Sequence, residues 1–522
     1  MLPRRLARRP LRRGLVTALA AAALLVPALS HTPASADGVG LPALPTIPGL
    51  PIVPLPTDLL VPRFTGAAAV ARPVPHPEVP QNPWLSPNGT SSMHNDAYSS
   101  DAYEVAGPLG RDLAMTTASY GIRECATAAF DSRGRLVGLC GGLEGFMVMV
   151  IDPVSLRAIS QLQISQRDLL AGGNPFTDIC GGTYFVLDKR DHAIATTADA
   201  SIVDVAVRAD GSLRQVAEWP LADRLPEGDC LVATTLDWSG RVWFFSQQGY
   251  AGTLDRRTGA VHVVRLGTAA EPEGIFNSVS SDETGGVYAV TTHALYRLDA
   301  ARDGVPDVTW RAAYDRGSRK KPGMLSQGSG TSPTLLGRRW IAITDNADPR
   351  TRVLVLDRRR GVADDERLHC AVPIFGKDTG TTENSLVSTG DGFVAENNYG
   401  YEGVQTTTLG RTTTPGLTKV ELDPDGCHIA WTNDSIAPTS VAKASWGNGL
   451  LYAYTKPKRS DLIDAWYVTA IDLRTGKTVW NRLTGTGIQW NNHYAAIYLG
   501  PDGALYVATL TGLIRLADGS SS

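Results

Sequence analysis

The sequence carries no excess of charge of either sign: 49 Lys and Arg stand against 52 Asp and Glu, a formal net charge of −3. With no basic patch, a nucleic-acid partner is not expected. After Leu29 no apolar run is long enough to cross a bilayer, so stable membrane insertion is not expected either. Amphipathic patterns of helix length are scarce. The usual short motifs are missing too: there is no Gly-x-Ser-x-Gly elbow, no Gly-x-x-x-x-Gly-Lys loop and no His-Glu-x-x-His. Serine-hydrolase, nucleotide-binding and zincin readings therefore lack their customary sequence support.

What is present begins with a leader. Arg4, Arg5, Arg8, Arg9, Arg12 and Arg13 precede an apolar run from Leu15 to Leu29 and the small triplet Ala34-Ser35-Ala36. This is the pattern of a secretory signal peptide, cut after about Ala36. A membrane anchor competes, but Pro27 interrupts the run and it is short for a span. Arg12-Arg13 fits a twin-arginine route as well as the general one. Prolines at 42, 45, 48, 51 and 54 then repeat every three residues, the period of polyproline II. The expected organisation is a leader over 1–36, a stiff spacer over 37–83, one domain over 84–519 and a tail over 520–522.

The domain is rich in turns, and the whole chain holds 53 Gly. One hairpin recurs eight times: DSRGRLVGLC from Asp131, LDKRDHAIATT from Leu187, LDWSGRVWFF from Leu236, SDETGGVYAV from Ser281, LLGRRWIAIT from Leu335, STGDGFVAEN from Ser388, SWGNGLLYAY from Ser445 and LGPDGALYVA from Leu499. Gly, Asp and Asn make the tight turns, and the side chains of the following strands alternate. A second strand and turn follows, as in TLDRRTG and KVELDPDG. A spacing of roughly fifty residues is that of propeller blades. The expected fold is all-β, an eight-bladed β-propeller, with seven blades as the alternative. The last copy has room for three strands only, so the strand-like segment Leu113 to Ser119 is expected to complete it and remove an open edge.

The stretch Ala470-Ile471-Asp472-Leu473-Arg474-Thr475-Gly476-Lys477-Thr478-Val479-Trp480 resembles the repeat of quinoprotein-dehydrogenase-like propellers, and Thr253-Leu254-Asp255-Arg256-Arg257-Thr258-Gly259 echoes it in part. The resemblance implies that eight-bladed superfamily over about 400 residues, with Gly at the turn and Trp packed between blades. It does not bring the cofactor with it. Members that use pyrroloquinoline quinone commonly have adjacent cysteines, and this chain has none; nor has it the Cys-x-x-Cys-His of c-type haem.

Six cysteines in an exported chain favour disulfides. If Asp131-Ser132-Arg133-Gly134 closes a two-residue hairpin, Cys125 lies opposite Cys140, unless a bulge at Gly134 shifts the register by one. Cys180 and Cys230 each precede the innermost strand of neighbouring blades, and Cys370 and Cys427 fall in outer strands of another neighbouring pair. The expected bridges are 125–140, 180–230 and 370–427; no compact Cys/His spacing favours a metal site instead.

Innermost strands start beside the central channel, so their first residues form a ring. Counting back from each hairpin gives Glu124, Asp178, Asp229, Asn277, Thr331, Glu383 with Asn384, Ser440, and Asn492 with His493. Such residues can simply cap backbone groups. They can instead hold a hard cation, calcium or magnesium, with Asp178, Asp229 and Glu383 as ligands. Or Glu124, Asp178, Asp229 and Glu383, assisted by His493, can perform acid–base chemistry, because crowded carboxylates raise one another's pKa. Asn277, Thr331, Asn384 and Asn492 are candidate ligand contacts, and Trp490 and Tyr494 a candidate aromatic wall. The Asp345-Asn346-Ala347-Asp348 and Glu396-Asn397-Asn398-Tyr399 loops should reach the same face. The expected function is a monomeric, secreted or envelope-associated propeller that takes a small molecule or glycan at the channel mouth, with hydrolase, lyase or isomerase chemistry there. A quinoprotein-type oxidoreductase and a non-catalytic scaffold are the alternatives.

Overall fold

The computed structural model describes residues 49–166, 179–180 and 183–519; the expected leader and the short tail lie outside them. It is all-β, and its sheets form eight blades. From the axis outward, the innermost strands of the blades are Arg123–Phe130, Phe185–Leu187, Leu231–Leu236, Ser280–Ser281, Thr334–Leu336, Val387–Ser388, Lys443–Ser445 and Ile497–Leu499. Antiparallel pairing with the next strand runs through the turns that the repeat marks. In the first four blades the turn opens on Asp131, Asp188, Asp237 or Asp282. One carboxylate oxygen of each accepts the backbone N–H groups two and four residues on, as Asp237 Oδ1 does from Ser239 and Arg241 at 2.8 and 3.0 Å. The side chain thus satisfies turn amides that a buried hairpin tip would otherwise leave without acceptors.

Ring closure takes the expected form. Ala114–Ser119 is the outermost strand of the last blade, paired antiparallel with Gly512–Ala517 from Ala114 opposite Ala517 to Ser119 opposite Gly512. The first and last parts of the propeller therefore share one sheet. Three disulfides join 125–140, 180–230 and 370–427. At the first of them the register differs in detail from a two-residue hairpin. Phe130 pairs with Leu136, one residue beyond that expectation, with Gly134 at φ 73°. A bulge between Glu124 and Thr127 then restores the offset, and Cys125 sits in that bulge.

The proline-rich segment does not stand apart as a spacer once it enters the described residues. The Ser119 N–H donates to Leu50 O at 2.7 Å, and Phe64–Gly66 pairs with Arg482, Asn481 and Trp480 on the outer edge of the seventh blade. Arg72 and Val74 then donate to Asn448 O and Trp446 O on the turn face. An extended chain without internal hydrogen bonds has free backbone groups, and an outer strand edge has the complementary ones.

Residues 90–103 occupy the axis. Phe130, Leu187, Ser281, Leu335, Ser388, Ala444 and Trp446 donate their backbone N–H groups to the carbonyls of Thr90, Ser91, Ala97, Tyr98, Ser100, Asp101 and Tyr103, at 2.7 to 3.0 Å. Six blades are thereby tied to one strap at the turn end of their innermost strands. The strap is tightly wound: Asn95, Ser99 and Asp101 have φ of 69°, 51° and 53°, a region that costs non-glycine residues energy. Asp101 is fully buried and ion-paired with the equally buried Lys443 Nζ, which also donates to Met93 O at 2.6 Å.

Lys443→Ala would leave the Asp101 charge buried without its ammonium, at a cost of about 3–5 kcal/mol. Arg359→Ala removes an exposed partner of Asp357 and is expected to cost under about 1 kcal/mol. Paired denaturant titrations should show that separation.

Candidate functional site

The strap closes the channel at one end and leaves a blind cavity of about 200 Å³ on the axis. Met93 and His94 of the strap form its floor. Its walls come from the starts of innermost strands and from loops: Glu124, Ala126, Thr183, Tyr184, Asn277, Ser332, Glu383, Asn384, Ser385, Val441, His493 and Tyr494, with Ile122, Leu143, Phe146, Ile179, Leu325 and Leu510. Most of this lining is apolar, with a few convergent polar groups, the usual make-up of a small-molecule pocket.

Two carboxyl groups stand out. Glu124 Oε1 accepts the His493 backbone N–H at 2.9 Å, and Glu383 Oε1 accepts that of Leu325 at 3.0 Å. Neither has a cationic side chain within ion-pair distance among the described residues. Burial pushes each up from an ordinary 4.5 to about 8, against which one backbone hydrogen bond, joined at Glu383 by the charge of Lys320, is a small offset. At neutral pH both are therefore mainly protonated, and each can donate a hydrogen bond into the cavity. His493 Nδ1 is 2.8 Å from the Tyr401 hydroxyl, and Tyr401, His493 and Tyr494 form an aromatic cluster with ring centroids 5.0 to 5.7 Å apart.

No residue of the Asp345–Asp348 or Glu396–Tyr399 loop lines the cavity, but the second of these loops holds cavity residues in place. Asn398 Oδ1 accepts the Glu383 N–H at 2.7 Å. Glu396, itself pushed up to about 8 by burial, accepts from Asn384 Nδ2 at 2.5 Å and from the Ala442 N–H at 3.1 Å.

Of the ring read from the sequence, Glu124, Asn277, Glu383, Asn384 and His493 meet at the cavity, together with Tyr494 of the candidate aromatic wall. Asp178 lies outside the described residues. Asp229 is not on the cavity wall; its Oδ1 accepts the Cys230 and Gln248 N–H groups at 2.8 and 2.9 Å and organises a loop. Thr331 turns away to accept the Thr344 N–H at 2.9 Å, while Ser332, one residue on, faces the cavity. Asn492 is fully buried and donates to Ala495 O and Ala508 O, and Trp490 is buried beneath the rim, so neither lines the cavity. Among the described residues no three His, Cys, Asp or Glu side chains converge as a cation site would require.

Among the cavity residues absent from the sequence reading, Met93 and His94 come from the strap and Ser332 and Ser385 from the approaches to innermost strands. His94 Nδ1 lies 3.1 Å from both carboxylate oxygens of Asp101, and its Nε2 lies 3.3 Å from Ser332 Oγ. Ser385 Oγ donates to Asp101 Oδ2. Burial alone would raise the Asp101 carboxyl, but Lys443 and His94 outweigh it and hold the group below its ordinary 3.8.

The raised carboxyls fix the sign of a pH effect. Between an ordinary 4.5 and about 8 the unfolded chain has lost protons that Glu124, Glu383 and Glu396 still hold when folded. Stability should therefore fall as pH rises across that window. Glu124→Gln and Glu383→Gln should each flatten the fall, which denaturant titrations at pH 5, 6.5 and 8 would register.

No protein-family model matches the sequence. An uncharacterized protein of Archaeoglobus fulgidus is 28% identical over 327 residues, 56% of this chain, and the match spans 63% of that protein's length. Solved structures similar to this chain are β-propeller proteins. Streptogramin B lyase aligns with TM-score 0.39 and 9% identity over 77% of this chain and 97% of its own. Dihydro-heme d1 dehydrogenase NirN aligns with 0.47 and 14% over 72% and 69%. The WD40 domain of SCAP from fission yeast aligns with 0.43 and 8% over 78% and 99%. These likenesses are of fold, and they do not carry the resemblance of the 470–480 repeat into the quinoprotein-like group.

Proposed function

We propose that this chain is an exported propeller that binds a small, largely apolar molecule in the blind axial cavity, with the protonated Glu124 and Glu383 as its polar anchors and proton donors. The observation that carries this reading is the pairing of apolar walls with two half-buried carboxyls that each have one oxygen free of partners among the described residues. Those oxygens sit in a largely apolar lining, where a ligand oxygen or nitrogen can pair with them away from bulk water. A volume of about 200 Å³ suits one or two rings and is too small for an oligosaccharide, which favours the small molecule over the glycan. Carboxyls that titrate near neutral pH can also give and take protons during a reaction, so the binding reading extends to non-redox chemistry on the bound molecule. Export is supported by the leader pattern and by the pairing of all six cysteines.

The neutral fluorophore 2-naphthol, a two-ring molecule with one hydroxyl, is the test ligand. Saturable binding to the wild type is expected, weakened about tenfold or more, at least 1.4 kcal/mol, in Leu325→Trp, which fills the cavity. Equal binding by the two proteins, or none by either, would reject the cavity as the binding site. Separately, protein produced with its own leader should be recovered outside the cytoplasm with no thiol titratable before reduction.

A further inference from the structure

We propose that Ser332, His94 and Asp101 form a nucleophilic relay at the floor of the cavity, making the chain a serine-dependent hydrolase of small apolar esters. This deepens the proposed function and rests on the cavity as the place where the substrate sits.

The geometry is that of a three-member relay assembled from two parts of the chain. An ionised carboxylate can only accept, so the proton of a neutral His94 ring sits on Nδ1, facing Asp101. That leaves Nε2 as the acceptor, and the group facing it is the Ser332 hydroxyl at 3.3 Å. Among the described residues Ser332 Oγ has no second hydrogen-bond partner to compete for its proton, and Ser332 lines the cavity in which a substrate carbonyl would sit. Asp101 is a positioning residue. It is fully buried, set at φ 53°, and receives hydrogen bonds from His94, Ser385 and Lys443. A carboxylate held this firmly fixes the tautomer and orientation of the imidazole, the role that the third member of such relays performs. A purely structural cluster would serve equally well with its hydroxyl and imidazole sealed from space. Here His94, Ser332 and Ser385 all line the cavity.

The reaction balances with water as co-reactant. Ser332 Oγ bonds to the carbonyl carbon of the ester while its proton passes to His94 Nε2 and the carbonyl π pair moves onto oxygen. Collapse breaks the bond to the alcohol oxygen, which leaves with the proton from His94. Water then gives a proton to His94 and attacks the acyl carbon; collapse releases the acid and returns the proton to Ser332 Oγ.

Phenylmethanesulfonyl fluoride, small enough for the cavity, tests the relay by mass spectrometry of the digested protein. A single sulfonyl adduct on Ser332 is expected, absent in Ser332→Ala and still formed in Arg359→Ala, whose exposed side chain lies away from the cavity. In His94→Gln its rate should fall about 10²- to 10⁴-fold, the range for loss of a general base. In the wild type that rate should follow one deprotonation and then level off with pH, rather than climb with hydroxide. Protein that binds 2-naphthol yet gains no adduct, or gains it at Ser385 or a tyrosine, overturns the relay and leaves the cavity reading standing. Loss of both binding and labelling overturns the two together.

Discussion

The innermost strands of a propeller each present one backbone edge to the axis, and unpaired N–H groups there must find acceptors. In this chain residues 90–103 supply them, with seven carbonyls accepting from innermost strands of six blades. That single set of hydrogen bonds ties the blades to a common centre and stops the channel at one end. It also delivers His94 and Asp101 to the floor of the space that remains. The outer edges are handled by the same means, with Ala114–Ser119 closing the last blade and Phe64–Gly66 lying along the seventh. The N-terminal portion is thus a set of partners for edges, inside and out.

Burial of charge follows from this arrangement. A strap running through the axis puts Asp96 and Asp101 where water does not reach. The two respond differently because their neighbours differ. Lys443 and His94 keep Asp101 low, whereas desolvation pushes Asp96 up to about 7 despite its hydrogen bonds from Ser100 and Tyr98. Glu124 and Glu383 resemble Asp96 in this respect: burial outweighs every lowering influence on them, the Lys320 charge on Glu383 included. The cavity therefore has neutral acids on its walls and an ionised, well-held carboxylate beneath its floor. Carboxyls in such different electrostatic settings can take different parts in one site.

The blade count, the closing strand and the three disulfides were legible because each depends on local pattern or on the regular spacing of repeats. A hairpin announces itself through its turn residues, and cysteines at matching places in adjacent blades can meet. Half the ring was legible for the same reason: counting back from a turn locates the start of a strand. It failed at Thr331, where an error of one residue selects the opposite side of the strand and so misses Ser332. It failed at Asp229 and Asn492, whose side chains serve backbone groups nearby. No periodicity marks the strap. Its run Ser91-Ser92-Met93-His94-Asn95-Asp96-Ala97-Tyr98-Ser99-Ser100-Asp101 reads as a polar loop, although its density of small hydrogen-bonding side chains suits a segment that must satisfy buried backbone.

By itself the sequence pointed to the repeating unit, to eight units with seven as the alternative, to the means of closing the ring and to the pairing of cysteines, because those follow from turn chemistry and alternation within about fifty residues. Only the tertiary structure decided that the proline-rich approach lies on the domain and that the polar run after it fills the axis. It alone brought His94, Ser332 and Asp101 within hydrogen-bonding reach across more than two hundred residues of chain. The reason is physical: what the axis needs is a set of acceptors at eightfold-related positions, and no local rule of sequence says which distant segment will supply them.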